Sequence, residues 1–391
     1  MAGIGLRNNG AFRFPVYHRN HTILNSWIQT ANIPEVRVIA DDSMLKDEFF
    51  MAISLGTPAV LNFVLIDTGS SLSWVQCQHC DIQCYEQVER AGPIFNPFSS
   101  STYRDVSCSA QVCTEITSGF GCYEEKDTCL YRMGYAMGEY SVGYLGKDKL
   151  TLDENYTIDD FIFGCGAENV YSGHSAGIFG FSDERYSFFN QVAQHANYKA
   201  FSYCFPSKLE NEGFLSVGSY VRDESLKTSE FVPNTALHAI ALSVSDIKVN
   251  GIRLEIEEET YERALTVVDS GTPESLVLSP IFYALDKAAT RAMIPKGYAR
   301  ANEAQICFVT TGDQIDWNDF PTVEMTFDRS TLMLQKENLF YVNSVGHACM
   351  TFLPNNITTI GYQILGNRAL RSFEVVYDVQ ERIFGFRADA C

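Results

Sequence analysis

The run Leu65-Ile66-Asp67-Thr68-Gly69-Ser70 decides how this chain is read, because it returns as Val267-Val268-Asp269-Ser270-Gly271-Thr272. Both spell two apolar residues, an Asp, a hydroxyl residue, a Gly and a second hydroxyl residue. One Asp-Thr-Gly alone is ordinary turn chemistry, in which Asp and Gly serve the backbone. Here each copy is followed by an apolar-apolar-Gly segment, Ile178-Phe179-Gly180 after the first and Ile364-Leu365-Gly366 after the second. Two halves carrying the same landmarks in the same order indicate a duplicated lobe.

The chemistry follows from the residue types. An Asp at the end of an apolar strand is costly to bury unless it is bonded or used. Gly69 and Gly271 permit a tight turn that brings backbone amides to the carboxylate. Ser70 and Thr272 can donate to its outer oxygen. If a pseudo-twofold brings Asp67 and Asp269 together, both cannot ionise cheaply, and they share a proton. One carboxylate then deprotonates a water while the other protonates a carbonyl oxygen. That suits hydrolysis of an amide without metal, serine or cysteine. No His-Glu-x-x-His, Gly-x-Ser-x-Gly or phosphate loop competes with this reading.

The rest of the sequence is compatible with it. The chain has 391 residues, 46% hydrophobic and 20% charged, which excludes a mainly disordered polymer and supplies a large core. Its 29 basic against 48 acidic residues give a net charge of -19. Such a charge repels phosphate backbones and anionic lipid, so nucleic acid and membrane surfaces are poor partners. No apolar run approaches the ~20 residues of a spanning helix. From about Phe49 onward, period-two alternation is broken by Gly, Asn, Ser and Pro. The clearest hairpin is Ile247–Ile256 around Asn250-Gly251. Helices are few: Ser279-Pro280 opens one to about Met293, and Ser182-Asp183 another to about His195. The chain reads as all-β with a few short helices.

Twelve cysteines stand at 77, 80, 84, 108, 113, 122, 129, 165, 204, 307, 349 and 391. An even, dense set indicates an oxidising compartment and a disulfide framework. The triplets at Asn20, Asn155 and Asn356 agree as glycosylation acceptors. The expected location is secreted or endomembrane. Met1–Gly10 lacks the apolar core of a signal peptide. Cys77-Gln78-His79-Cys80…Cys84 also permits a zinc reading; disulfides are preferred, and neither metal nor cofactor is expected. Residues 1–40 carry Arg7, Arg13, Arg19 and Arg37 against the single acid Glu35, opposite in sign to the body. This segment reads either as a solvated tail or as a basic pro-segment lying on an acidic body.

These motifs resemble the pepsin-like aspartic proteases, specifically the plant nepenthesin-like branch. Asp67-Thr68-Gly69-Ser70-Ser71-Leu72-Ser73-Trp74 is similar to the first catalytic loop of that family, and Val268-Asp269-Ser270-Gly271-Thr272 to the second. Phe163-Gly164-Cys165-Gly166, Phe201-Ser202-Tyr203-Cys204 and Phe384-Gly385-Phe386…Cys391 are typical of the branch. The resemblance covers about residues 47–391. It implies a bilobed, pepsin-like double β-barrel or sandwich with catalytic Asp67 and Asp269, oriented by Gly69, Ser70, Gly271 and Thr272. It also implies a flap hairpin, with Tyr135 as the flap tyrosine, Trp74 as its hydrogen-bond partner, and Ala136 and Met137 facing substrate. The disulfides it implies are Cys77–Cys80, Cys84–Cys165, Cys108–Cys129, Cys113–Cys122, Cys204–Cys391 and Cys307–Cys349.

The implied organisation is a pro-segment-like extension (1–46), an N-terminal lobe (47–218), a connection (219–236) and a C-terminal lobe (237–391). The implied partner is an extended peptide cut by a monomeric enzyme at acidic pH, with the basic extension released as acid neutralises the body's carboxylates. The flap departs from the family's Tyr-Gly-Asp-Gly-Ser: Ala136, Met137 and Glu139 stand at its second, third and fifth places, and Pro273 replaces the usual Thr after the second loop. That departure motivates an alternative, a catalytically impaired binding or inhibitor protein of the xylanase-inhibitor-like type.

Overall fold

The computed structural model describes residues 5–6, 11–18, 48–80, 82–116, 118–135, 138–153, 156–208, 211–232, 239–310, 315–355 and 362–391. The described residues fall into two compact units. One holds 11–18, 48–201 and 211–219; the other holds 202–208 and everything from Tyr220 onward.

The first unit is a curled sheet. Its strands lie in the order Gly213–Val217, Phe12–His18, Phe49–Leu55, Val60–Asp67, Gly177–Gly180, Trp74–Gln76, Tyr156–Val170, Tyr140–Asp153, Thr128–Gly134 and Gly119–Tyr123. Phe49–Leu55 also pairs with Tyr140–Asp153, through Ser54 opposite Thr151, so the sheet bends back on itself. Between its faces lies an aromatic core. Phe161 stacks on Phe179 at 5.8 Å, and Phe179 and Phe181 meet Phe188 at 5.4 and 5.1 Å. Such rings dominate core energetics through both area and geometry.

Phe12–His18 is an inner strand, bonded to Phe49–Met51 on one side and to Gly213–Val217 on the other. Phe12, Phe14 and Val16 are fully buried, and Phe14 reaches the Phe188 ring at 5.7 Å. Burying each such side chain contributes about 2 kcal/mol. A solvated tail is therefore excluded for these residues. Arg13, counted among the basic charges of this segment, lies over the Phe214 ring at 4.0 Å.

The second unit holds a sheet ordered Ser330–Leu334, Val323–Phe327, Ala241–Val249, Leu265–Asp269, Gln363–Gly366, Ser275–Leu278 and Phe352–Asn355. The Asn250-Gly251 turn has φ of 50° and 75°, with Val249 opposite Ile252, as the hairpin reading requires. The helix Ser279–Met293 begins with Pro280 in its first turn. The other expected helix is shorter, Phe188–Ala193. Ser182 spends its hydroxyl on the Glu184 amide in a local turn, and Ser187, accepting from the Asn190 amide, is the true cap.

Four of the expected disulfides are corrected. The structure joins Cys77–Cys165, Cys80–Cys84, Cys108–Cys122 and Cys113–Cys129, beside Cys204–Cys391 and Cys307–Cys349. The reason is adjacency across strands. Trp74–Gln76 runs parallel to Tyr156–Val170 with Val75 opposite Cys165, so Cys77, one residue past the strand, lands beside Cys165. Cys80 is left to close the exposed loop with Cys84. Cys122 and Cys129 face one another in register, and each bonds outward, Cys122 to Cys108 ahead of the Gln111–Glu115 helix and Cys129 to Cys113 within it. All three cysteines of the zinc alternative are thus oxidised. The glycosylation acceptors Asn20, Asn155 and Asn356 lie outside the described residues. No helix among the described residues is long and apolar enough to cross a membrane.

Candidate active site

The sheet of the first unit ends the Val60–Asp67 strand at the first Asp loop. Asp67 is buried, 5% exposed. The Gly69 amide donates to its Oδ1 at 2.9 Å, and the Ser70 hydroxyl to its Oδ2 at 2.5 Å. Gly177–Gly180 lies parallel beside this strand with Gly180 opposite Asp67, and the Phe181 amide bonds the Asp67 carbonyl at 2.8 Å.

The second unit repeats this arrangement. The Gly271 amide donates to Asp269 Oδ1 at 2.8 Å, and Thr272 Oγ1 to Oδ2 at 2.6 Å. Gln363–Gly366 lies parallel beside Leu265–Asp269, with Gly366 opposite Asp269. Each apolar-Gly strand then pairs antiparallel with the strand following its Asp loop, Ile178 with Trp74 and Ile364 with Leu276. Each of those strands pairs parallel with one more, Tyr156–Val170 or Phe352–Asn355. The duplication read from two short motifs therefore extends through four strands of each sheet.

Both carboxylates keep one oxygen on a backbone amide and the other on a hydroxyl, which fixes the orientation of each. Asp67 is buried and Asp269 half-buried.

The repeat also contains two residues that the sequence reading passed over. The Gly180 amide donates to Ser73 Oγ at 3.3 Å, and the Gly366 amide to Ser275 Oγ at 3.1 Å. Both serines are buried and stand at matching positions after their Asp. Extending the alignment of the two loops beyond Thr272 would have found them. The second loop carries a further brace: Arg368, buried, bonds Glu274 at 3.0 Å and lies over the Tyr341 ring at 4.4 Å. The Arg368 amide bonds the Pro273 carbonyl at 3.2 Å, so Pro273 is accommodated by its acceptor alone.

Thr128–Gly134 and Tyr140–Asp153 form an antiparallel hairpin with Gly134 opposite Tyr140. Tyr135 follows directly. Trp74 Nε1, at the start of the strand after the first Asp loop, donates to the Tyr135 hydroxyl at 2.7 Å. Desolvation, and then the Asp67 charge, push that hydroxyl well above its ordinary pKa, while its hydrogen bonds with Trp74 and Ser70 act the other way. Tyr135 therefore stays a neutral donor in the acidic and neutral range. Asp67, Ser70, Tyr135 and Trp74 form one connected chain. Gly138 has φ of 79°, a conformation reserved in practice for glycine. Ala136 and Met137 lie outside the described residues.

Comparison with known proteins gives matching relatives. Family models described as Xylanase inhibitor N-terminal and Xylanase inhibitor C-terminal match residues 49–219 and 241–388. An aspartyl protease family protein of Arabidopsis thaliana is 32% identical, over 95% of this chain and 79% of its own. Aspartic proteinase nepenthesin-1 of Nepenthes gracilis is 28% identical, over 91% of this chain and 80% of its own. Among solved structures, edgp superposes with a TM-score of 0.74 at 16% identity, covering 97% of this chain and 95% of its own. Basic 7S globulin from soybean does so with a TM-score of 0.72 at 17% identity, covering 97% and 96%. These last two likenesses speak for the fold.

Proposed function

This chain belongs to the plant pepsin-like aspartic protease family, and we propose that it is an endopeptidase hydrolysing peptide bonds at acidic pH. The observation that carries the reading is the twofold recurrence of one carboxylate cradle: Asp67 held by Gly69 and Ser70, Asp269 by Gly271 and Thr272. In the proposed reaction the two carboxylates share one proton. The ionised member takes a proton from water, which attacks the peptide carbonyl carbon. The protonated member gives its proton to the carbonyl oxygen. Collapse of the resulting diol breaks the C–N bond, and the leaving amine takes up a proton. Ser70 and Thr272 keep each carboxylate in one orientation throughout. Tyr135, held by Trp74, covers the substrate. Extended peptides are the fitting partners, because a strand-like backbone offers regular donors and acceptors to a flap hairpin.

We further propose that the protein works as a monomer in an oxidising compartment, outside the cell or in the vacuole, as six disulfides favour. The deciding experiment is cleavage of a denatured protein substrate near pH 4 by the wild type and by Asp67→Asn. Equal cleavage by both would overturn the reading. A folded wild type that neither cleaves nor binds the peptide-mimic inhibitor pepstatin would point instead to a binding protein on this fold.

A further inference from the structure

The flap hairpin has a tie that its backbone pairing does not provide. The ladder between Tyr140–Asp153 and Tyr156–Val170 ends at Val170 opposite Tyr140. The next residue outward on the flap side is Glu139, and its carboxylate continues where the ladder stops. Oε1 accepts the Ser172 backbone N–H at 2.9 Å and also the Ser172 hydroxyl. Glu139 thus uses its side chain as a strand would use a carbonyl.

Three further contacts close this tie into a ring, and a fourth braces the turn within it. Tyr171, adjacent to Ser172, packs edge-on against Trp74 at 6.1 Å. Trp74 donates to the Tyr135 hydroxyl at 2.7 Å. The Tyr135 amide returns to the Glu139 carbonyl at 2.8 Å, and the Gly138 amide to the Tyr135 carbonyl at 3.2 Å. A second carboxylate bond runs alongside, from the Tyr140 hydroxyl to Glu168 at 2.8 Å.

We propose, resting on the peptidase reading above, that Glu139 is a positioning residue that moves the flap's hinge outward by latching it to Ser172. A flap pinned this close to Tyr135 loses less freedom when a peptide is covered, so the latch acts on substrate affinity. The fifth flap place in the resembled family carries Ser, whose short side chain lacks this reach. The latch is therefore a property of this chain's own residues.

The test uses the full-length protein with Glu139→Ala, Glu139→Ser and Glu139→Gln, the last of which keeps an acceptor oxygen. Amide hydrogen exchange is read at Ser172, Tyr135 and Gly138, with Cys129, bonded to the Val106 carbonyl at 2.8 Å, as an internal control. The expected result is faster exchange at the three flap-side amides in the Ala and Ser variants, Cys129 unchanged, and near wild-type exchange in the Gln variant. In peptide cleavage, Glu139→Ala raises KM roughly fivefold with kcat little changed, and Glu139→Gln restores most of the loss. Unchanged exchange in Glu139→Ala, or a Gln variant as fast as Ala, overturns the latch. If exchange behaves as expected while the wild type cleaves nothing, the latch stands and the peptidase reading falls.

Discussion

Gly180 stands in parallel register beside Asp67, and a side chain there would bring its first carbon within 2.4 Å of the Ser71 carbonyl oxygen. Gly366 repeats the relationship beside Asp269, with the Glu274 carbonyl oxygen at 2.5 Å. Neither glycine has a positive φ, so both are required by closeness of backbone to backbone. Gly180→Ala and Gly366→Ala should each destabilise the fold by about 3 kcal/mol, at the upper end of overpacking costs. Denaturant unfolding checks the stability, and peptide cleavage should fall with it because the Asp loop must shift.

The shared-proton mechanism makes a prediction about non-additivity. Asp67→Asn and Asp269→Asn should each lower kcat roughly a thousandfold, and the double variant should be no worse than either single one. Multiplying losses in the double variant would show two independently acting groups.

The Trp74–Tyr135 bond can be removed without disturbing the buried indole. Tyr135→Phe loses the hydroxyl that Trp74 and Ser70 address. It should reduce kcat/KM roughly tenfold, the size of one well-placed bond, and leave the thermal midpoint within a few degrees.

Non-reducing peptide mapping checks the bridges. A peptide linking Cys77 to Cys165 is expected, and one linking Cys77 to Cys80 is not. Replacing Cys204 and Cys391 together by Ser should cost about 2–5 kcal/mol, since that bridge spans 187 residues.

Glu115 gives a pH prediction with a definite sign. The Tyr186 hydroxyl first, then Gln111 and Arg185, hold its carboxyl below the usual range. Its contribution is fully present above the unfolded carboxylate pKa and disappears as pH falls through the lower folded value. The clamp between the Gln111–Glu115 helix and the Arg185-Tyr186 turn therefore persists into acid. Glu115→Gln should narrow in its effect on stability as pH is lowered, and the difference should vanish at the acid end of the curve.

What was legible in the sequence divides along physical lines. The Asp loops and their glycine partners were readable because the geometry admits few residue types: only Gly fits against the Ser71 and Glu274 carbonyls, and only a short hydroxyl reaches Oδ2. The Asn250-Gly251 hairpin was readable for the same reason. The disulfides were not, because Cys77 chooses between Cys80 and Cys165 by which strand lies beside it. The Phe12–His18 strand has the required alternation, Phe12, Phe14 and Val16, but the basic excess of residues 1–40 reads as a tail or pro-segment and masks it. A Pro inside a strand normally marks an edge; here Pro15 sits opposite Phe214 in an inner strand. The Glu139 latch was out of reach, since a side chain that extends a ladder is visible only when the ladder's end is known.

Phe12–His18 also bears on what a cut in the chain would do. Hydrogen-bonded along both edges, with three side chains sunk in the interior, it is not a piece that comes away when the backbone is nicked downstream. Proteolysis anywhere between residues 19 and 47 would leave that peptide in place as a short light chain. The processed protein would then travel as a two-chain particle, separable only under denaturing conditions.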